Sequence, residues 1–244
     1  MGRISAAVRH GAARLGVQVS RLQVGTDFSR RRTRLLAEHN IETALDVGAN
    51  EGAYGLELRE HGFEGRIVSF EPLQAAACVL AETAAHDAAW EVVPIGLGST
   101  SRQAALRVSG RHTSSSFLPM ETLHLEAAPE SAYVSQEGVQ IERLDDIRHK
   151  LRLEGSTLFL KLDVQGYELE VLEGGRATLA DVDVIEIELS FAQLYEGQPL
   201  FDECLQAVRS SGFVLVDLEP VLNHPITHEL LQVNGLFHRT NVGA

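Results

Sequence analysis

Seven short runs rich in branched aliphatic residues recur along the chain, at 42–47, 66–71, 90–95, 157–163, 182–189, 212–217 and 230–238. Runs of this length read as strands, and helical stretches of ten or more residues separate the earlier ones, the signature of βαβ units around a parallel sheet. Only a loop containing Pro220 and Pro225 lies between the last two runs, which predicts that they pair as an antiparallel hairpin. The pattern thus predicts an α/β domain over 40–244 with one seven-stranded, mostly parallel sheet. Residues 99–137, rich in serine and containing Pro119 and Pro129, are too long for a plain connection and are expected to form a lid or acceptor loop. Upstream, Ile4, Val8, Ala12, Leu15, Val19 and Leu22 fall three or four residues apart, which predicts an amphipathic accessory helix within residues 1–39, although Gly11 and Gly16 weaken it.

Composition narrows the partners. The 244 residues suit a single domain, and 34 acidic against 21 basic residues give a net charge of -13, which opposes coating of nucleic acid, a process driven by phosphate neutralisation. The charge is uneven: residues 1–39 hold eight arginines against Asp27 and Glu38, a local +6 that leaves -19 elsewhere. A basic amphipathic segment of this kind either rests on an anionic membrane surface through residues 1–24, where it could help to hold an acceptor, or packs as an accessory helix with solvated arginines. Cys78 and Cys204 show no ligand spacing, so neither structural zinc nor a disulfide framework is expected, and a reducing cytoplasm is the default compartment. No window approaches a membrane span, and Arg3, Arg9 and Arg14 interrupt any signal-peptide core. His224 and His228 stand near Asp217 and Glu219, but Pro225 and Ile226 break the helix that would align them, and no metal is expected there.

Candidate chemistry begins at Ala44-Leu45-Asp46-Val47-Gly48-Ala49-Asn50-Glu51-Gly52, a strand running into a glycine turn that opens a helix. Open α/β sheets bind ligands at such strand ends. Asn50 occupies the position where a dinucleotide fingerprint needs a second glycine for backbone approach to pyrophosphate, and Asp46 would repel pyrophosphate. A carboxylate there suits a cationic ligand, and S-adenosylmethionine carries an ammonium and a sulfonium. The second strand ends in Phe70-Glu71-Pro72, an acid about 20 residues past the turn, where it can accept hydrogen bonds from ribose hydroxyls. Gly96, after the third strand, is a further cofactor candidate by backbone contact.

The stretch Phe159-Leu160-Lys161-Leu162-Asp163-Val164-Gln165-Gly166-Tyr167-Glu168 delivers Lys161 and Asp163 toward the carboxyl edge of a strand and Glu168 into the first turn of the next helix, where an acid serves the helix dipole or the crevice. In Val184-Ile185-Glu186-Ile187-Glu188-Leu189 both glutamates fall on one face, a costly arrangement without partners. Lys161 is expected to pair with one of them, leaving Glu188 nearer the crevice as an acceptor ligand. Together these motifs, with Leu231-Gln232-Val233-Asn234-Gly235-Leu236-Phe237, resemble the FkbM-like S-adenosylmethionine-dependent O-methyltransferases over about 41–239. The resemblance implies a Rossmann-like class I methyltransferase fold with an antiparallel final strand, and implies that Asp46, Gly48, Asn50 and Glu71 bind the cofactor, with Ala49 and Gly52 on the same turn. Gln165 stands where a glutamate is common in that family, and neither 99–137 nor the first 39 residues match a motif of it.

Methyl transfer to a hydroxyl is an in-line displacement that needs alignment and proton removal. For the base, Asp163 ranks first, then Glu168, then a histidine such as His112 or His228. The expected acceptor is a hydroxyl of a sugar-bearing metabolite, on a glycolipid or a natural product, or of a polyketide. Two alternatives of other classes are a nicotinamide-dependent oxidoreductase and a non-catalytic nucleoside-binding partner protein.

Overall fold

The computed structural model describes residues 28–240. Among them ten strands follow in chain order: β1 (Thr43–Val47), β2 (Arg66–Phe70), β3 (Trp90–Val93), β4 (Gly96–Leu97), β5 (Arg102–Ser109), β6 (Tyr133–Glu142), β7 (Leu158–Leu162), β8 (Val182–Ser190), β9 (Phe213–Asn223) and β10 (Leu230–Arg239). The helices are α1 (Phe28–Glu38), α2 (Ala53–Glu60), α3 (Gln74–Ala84), α4 (Thr122–Ala127), α5 (Leu144–Ile147), α6 (Glu168–Gly174) and α7 (Phe201–Ser210). The main sheet runs β3-β2-β1-β7-β8-β10-β9, and its pairs are parallel except those that β10 makes with β8 and β9. This is the Rossmann-like class I methyltransferase fold, and all seven expected strands are in it. β9 extends to Asn223, beyond the expected end at 217, because it is the sheet edge, where the missing N–H of Pro220 leaves no inner ladder bond unmade.

Alternation along the strands separates two cores. Leu45, Leu160, Leu162, Ile185 and Ile187 face one side; Ala44, Ile67, Phe159, Val184 and Leu236 face the other. The second face also carries charge. Register sets Ser69 beside Asp46, Asp46 beside Lys161 and Lys161 beside Glu186, one polar row across four adjacent strands. Lys161 pairs with Asp46 at 3.2 Å, not with Glu186 or Glu188 as expected. Glu186 is instead taken by Arg32 at 3.2 Å and by the Tyr54 hydroxyl at 2.8 Å.

Arg32 also changes the picture of the basic segment. It lies on α1 but is only 2% exposed, with its guanidinium on Glu186, on Glu57 at 2.5 Å and over the Tyr54 ring. Among the described arginines of that cluster, Arg32 is therefore a core residue. The expected helix through residues 1–24, with its membrane contact, lies outside the described residues, among which no helix is long and apolar enough to cross a membrane.

The 99–137 stretch is not a bare loop. β5 and β6 pair antiparallel, and β4 joins β6 in parallel, to make a second, three-stranded sheet. Leu97, Leu106, Val139 and Ile141 are the buried apolar side chains of its strands, and the serines around them obscure the pattern. Those serines are structural: Ser109 donates to the Ser131 carbonyl at 2.7 Å, Ser131 to Ser114 at 3.0 Å, and Ser116 to the Gln165 carbonyl at 2.6 Å. Buried hydroxyls satisfied in this way fix the segment 110–131 as a cap over the carboxyl edge of the main sheet.

Removing one partner of a buried ion pair strands the other. Arg32→Met is expected to destabilise the fold by about 3–5 kcal/mol in urea denaturation, with much of the loss recovered in Arg32→Met/Glu186→Gln. Arg34→Ala, which breaks the exposed pair with Glu38, should change stability by less than about 0.5 kcal/mol.

Candidate active site

Strand order reverses between β1 and β7, which opens a crevice beyond their carboxyl ends. The turn after β1 is held from three sides. The Gly48 and Ala49 amides both donate to the Phe70 carbonyl at 3.0 Å, the Lys161 ammonium donates to the Gly48 carbonyl at 3.2 Å, and the Asn50 amide donates to Glu71 Oε2 at 2.9 Å. Gly48 has a φ of 80°, and a Cβ built on it would lie 1.9 Å from the Asp163 carbonyl oxygen. The loops after β1 and β7 touch there, and only glycine permits the contact. Gly52 has a φ of 93° and begins α2, so its role is to turn the chain.

Glu71 sits at the end of β2 with both oxygens engaged, Oε2 by Asn50 and Oε1 by the Leu73 amide at 2.8 Å. Burial pushes its carboxyl up to about 7, against the pull of those two amides and of Lys161. Asn50 Oδ1, close by, is buried without a hydrogen-bond partner.

Across the crevice, Asp163 is half-buried, with Oδ2 at 3.7 Å from the Lys161 ammonium and Oδ1 accepting from the Gln165 amide at 2.7 Å. Burial opposes the charge of Lys161, but Asp46 and then Asp163 more than offset this and hold the ammonium well above the usual lysine range. Glu168 Oε1 accepts from the backbone amides of Val164 at 3.1 Å and Gly166 at 3.2 Å, which closes the loop that follows β7. Its burial raises it to about 7. Glu188 Oε2 accepts from Gln165 at 2.9 Å and Gln232 at 2.8 Å, and burial, then Asp163 and Glu168, push its carboxyl well above the ordinary range.

A cavity of about 90 Å³, open to solvent, occupies the crevice. Of the residues singled out from the sequence, Gly48, Asn50, Glu71, Gly96, His112 and Asp163 line it. Asp46, Ala49, Gly52, Lys161, Glu168 and Glu188 stand behind the wall, each of them buried. Asp46 therefore does not present its charge to a ligand, because Lys161 and the Ser69 hydroxyl at 3.2 Å already take it. Lys161 is equally committed, to the turn rather than to an acceptor. His112 opens a short 3-10 turn of the cap and faces the cavity from the side opposite the sheet. His224 is a turn residue whose Nδ1 accepts from the Ile226 and Thr227 amides, and among the described residues no group of three or more His, Cys, Asp or Glu could hold a metal ion.

Sequence reasoning missed Gln165 as a site residue, although it lines the cavity within the quoted motif. It also missed Phe117 in the cavity wall and Tyr195, whose hydroxyl meets Gln165 at 2.6 Å. Neither aromatic sits in a periodic run that would have drawn attention to it.

The family described as Methyltransferase FkbM domain matches residues 46–215. No curated protein sequence matches the chain. Among solved structures, it is similar to an rRNA methylase from Streptococcus thermophilus, at 14% identity and TM-score 0.47 over 89% of this chain and 100% of that one. It is similar to the Aeropyrum pernix fibrillarin with natively bound S-adenosyl-L-methionine, at 11% identity and TM-score 0.44 over 80% and 66%. A third likeness is the Burkholderia thailandensis 1,6-didemethyltoxoflavin-N1-methyltransferase with S-adenosylhomocysteine, at 12% identity and TM-score 0.42 over 96% and 85%. Likenesses this distant decide nothing about the acceptor.

The close contact at Gly48 can be separated from its backbone conformation. Gly62 has a similar φ of 86° but nothing within 4 Å of a built Cβ. Gly62→Ala is expected to cost about 1–2 kcal/mol of stability from the left-handed backbone alone. Gly48→Ala should cost clearly more in the same denaturation experiment; equal costs would show that the two loops can part freely.

Proposed function

The chain belongs to the FkbM methyltransferase family, and we propose that it transfers the methyl group of S-adenosylmethionine to a hydroxyl oxygen of a sugar-bearing metabolite or polyketide, with Asp163 as the group that meets the hydroxyl. The family match spans residues 46–215, and it makes the chain a methyltransferase rather than a nicotinamide-dependent oxidoreductase. The methyl donor is S-adenosylmethionine.

The residues around the cavity fit this donor. Glu71, held in place by two backbone amides, retains lone pairs for ribose hydroxyls. The orphaned Oδ1 of Asn50 lacks only a donor. Ile95, Gly96 and Phe117 supply an apolar wall for a base, in keeping with the lack of an acid after β3. Glu71 and Asp163 are the carboxylates that line the cavity, so the attraction for a sulfonium rests on these two, with Asp46 and Glu188 behind the wall.

When bound, the cofactor supplies a methyl group on positively charged sulfur, whose bond to carbon breaks as the acceptor oxygen bonds to that carbon, the electron pair staying on sulfur. The protein has to align the oxygen and take its proton. The observation that carries the reading is the position of Asp163: half-buried in the cavity wall, beside the Gly48 turn, with Oδ2 turned toward Lys161 at 3.7 Å and open to a further hydrogen bond. Glu168 is less suited, because its Oε1 is spent on two loop amides and it does not line the cavity. His112, Thr113 and Ser115 offer hydroxyl and imidazole partners on the cap side, and the Phe117 ring offers an apolar face, a combination that suits a sugar or other polyol.

Asp163→Asn keeps the shape and removes the proton acceptor. Incubated with tritiated-methyl S-adenosylmethionine and a small-molecule extract, this variant is expected to lose about 10²- to 10⁴-fold in the rate of product labelling. Calorimetric affinity for S-adenosylmethionine should stay within a few-fold of the parent. Undiminished labelling would remove Asp163 from this role, and donor binding without transfer to any fraction by the parent protein would favour a non-catalytic nucleoside-binding chain.

A further inference from the structure

Gln165 occupies a backbone conformation that a residue with a Cβ adopts at a cost, a φ of 53°, and is buried immediately behind the cavity wall that it helps to form. Its side chain makes three hydrogen bonds of different origin. Nε2 donates to Asp163 Oδ1 at 2.7 Å and to Glu188 Oε2 at 2.9 Å, and Oε1 accepts from the Tyr195 hydroxyl at 2.6 Å. Two carboxylates on one side and a hydroxyl on the other leave the amide a single orientation in which every donor meets an acceptor. Its backbone carbonyl accepts from Ser116 of the cap at 2.6 Å. Tyr195 is itself fully buried, paired with Met120 of the cap by a β-bridge, and its hydroxyl lies 3.2 Å from the Ser114 carbonyl.

We propose that Gln165 is the positioning residue of Asp163, its amide tying the acceptor-facing carboxylate to buried Glu188 and, through Tyr195, to the cap that covers the cavity. The inference rests on the reading of Asp163 given above. Asp163 is faced by Lys161 from β7, Glu168 from α6, Glu188 from β8, Tyr195 from the loop after β8 and His112 from the cap. In this company the amide donates to both carboxylates at once, which an ionised glutamate at the same position does not. An apolar residue would take away the donor to Asp163 Oδ1 and one of the two amide donors to Glu188, and a third carboxylate would set like charges against each other. The amide therefore aims the Asp163 carboxylate while Glu188 sits behind it.

The test follows the Asp163 carboxyl by carbon NMR in full-length protein carrying ¹³Cγ-aspartate, its signal identified by its loss in Asp163→Asn. Gln165→Glu replaces a donor by a like charge and is expected to move the titration midpoint of that signal up by about one pH unit or more. Gln165→Ala should move it up by less, and Tyr195→Phe, which keeps the core volume, should move it in the same direction by freeing the amide from its anchor. A purely structural role for Gln165 would lower stability and leave the midpoint where it is, so an unmoved midpoint in folded Gln165→Glu and Tyr195→Phe overturns the proposal. Tritium labelling of the small-molecule extract by Asp163→Asn, run beside it, separates the two ideas. Full labelling sinks the role of Asp163 even if the midpoint moves, whereas lost labelling with an unmoved midpoint sinks the role of Gln165 alone.

Discussion

One ammonium group, that of Lys161, joins the core of the sheet to the site. It lies between β1 and β8, 7% exposed, and reaches Asp46 beside it, Asp163 two residues on and the Gly48 carbonyl above. The Tyr54 ring lies beneath it at 5.1 Å. A lysine so placed is expensive unless its charge is matched, and the matching is done by a row of residues across the strands: Asp46, Lys161 and Glu186 in register, with Arg32 closing the row from α1. The four buried charges balance. Each member is held because its loss would strand a neighbour, and the row ends in the Gly48 turn that faces the cavity.

Two consequences follow for function. First, residues outside the family domain belong to the support of the site, because Arg32 on α1 satisfies Glu186 and thereby leaves Lys161 to Asp46 and the turn. Second, the division between wall and support is sharp. Glu71 and Asp163 meet the cavity, and the carboxylates that would otherwise crowd it stand behind the wall, Asp46 paired with an ammonium and Glu188 hydrogen-bonded by two amides. The site can therefore be acidic where a sulfonium needs it without the repulsion that four adjacent carboxylates would bring.

The architecture was legible because strands buried on both faces read as aliphatic runs, and because only a proline-containing loop separates the last two of them. Residues at strand ends, Gly48, Glu71 and Asp163, were found by the same logic, since topology alone puts them at one crevice. Pairing was less legible. The sequence places Lys161 and Glu186 opposite one another but says nothing of Arg32, because an arginine cluster on a helix has the appearance of a wet surface until tertiary packing buries one of its members. The second sheet was hidden for a related reason: serines that satisfy one another in a buried cap have the same composition as serines in a loop. Gln165 lay in the most specific motif, yet its part depends on contacts with Glu188 and Tyr195, 23 and 30 residues away, which no local pattern records.

The central claim is that the Lys161 ammonium holds the Gly48 turn, on which the proposed binding of S-adenosylmethionine depends. Calorimetric titration of S-adenosylmethionine into Lys161→Met/Asp46→Asn tests it most directly, since removing both charges together leaves neither buried alone. Loss of a charge-assisted hydrogen bond to the Gly48 carbonyl should weaken the dissociation constant by about tenfold or more in a protein that remains folded. An unchanged dissociation constant in the folded double variant would contradict the account, because the turn would then be held without the lysine.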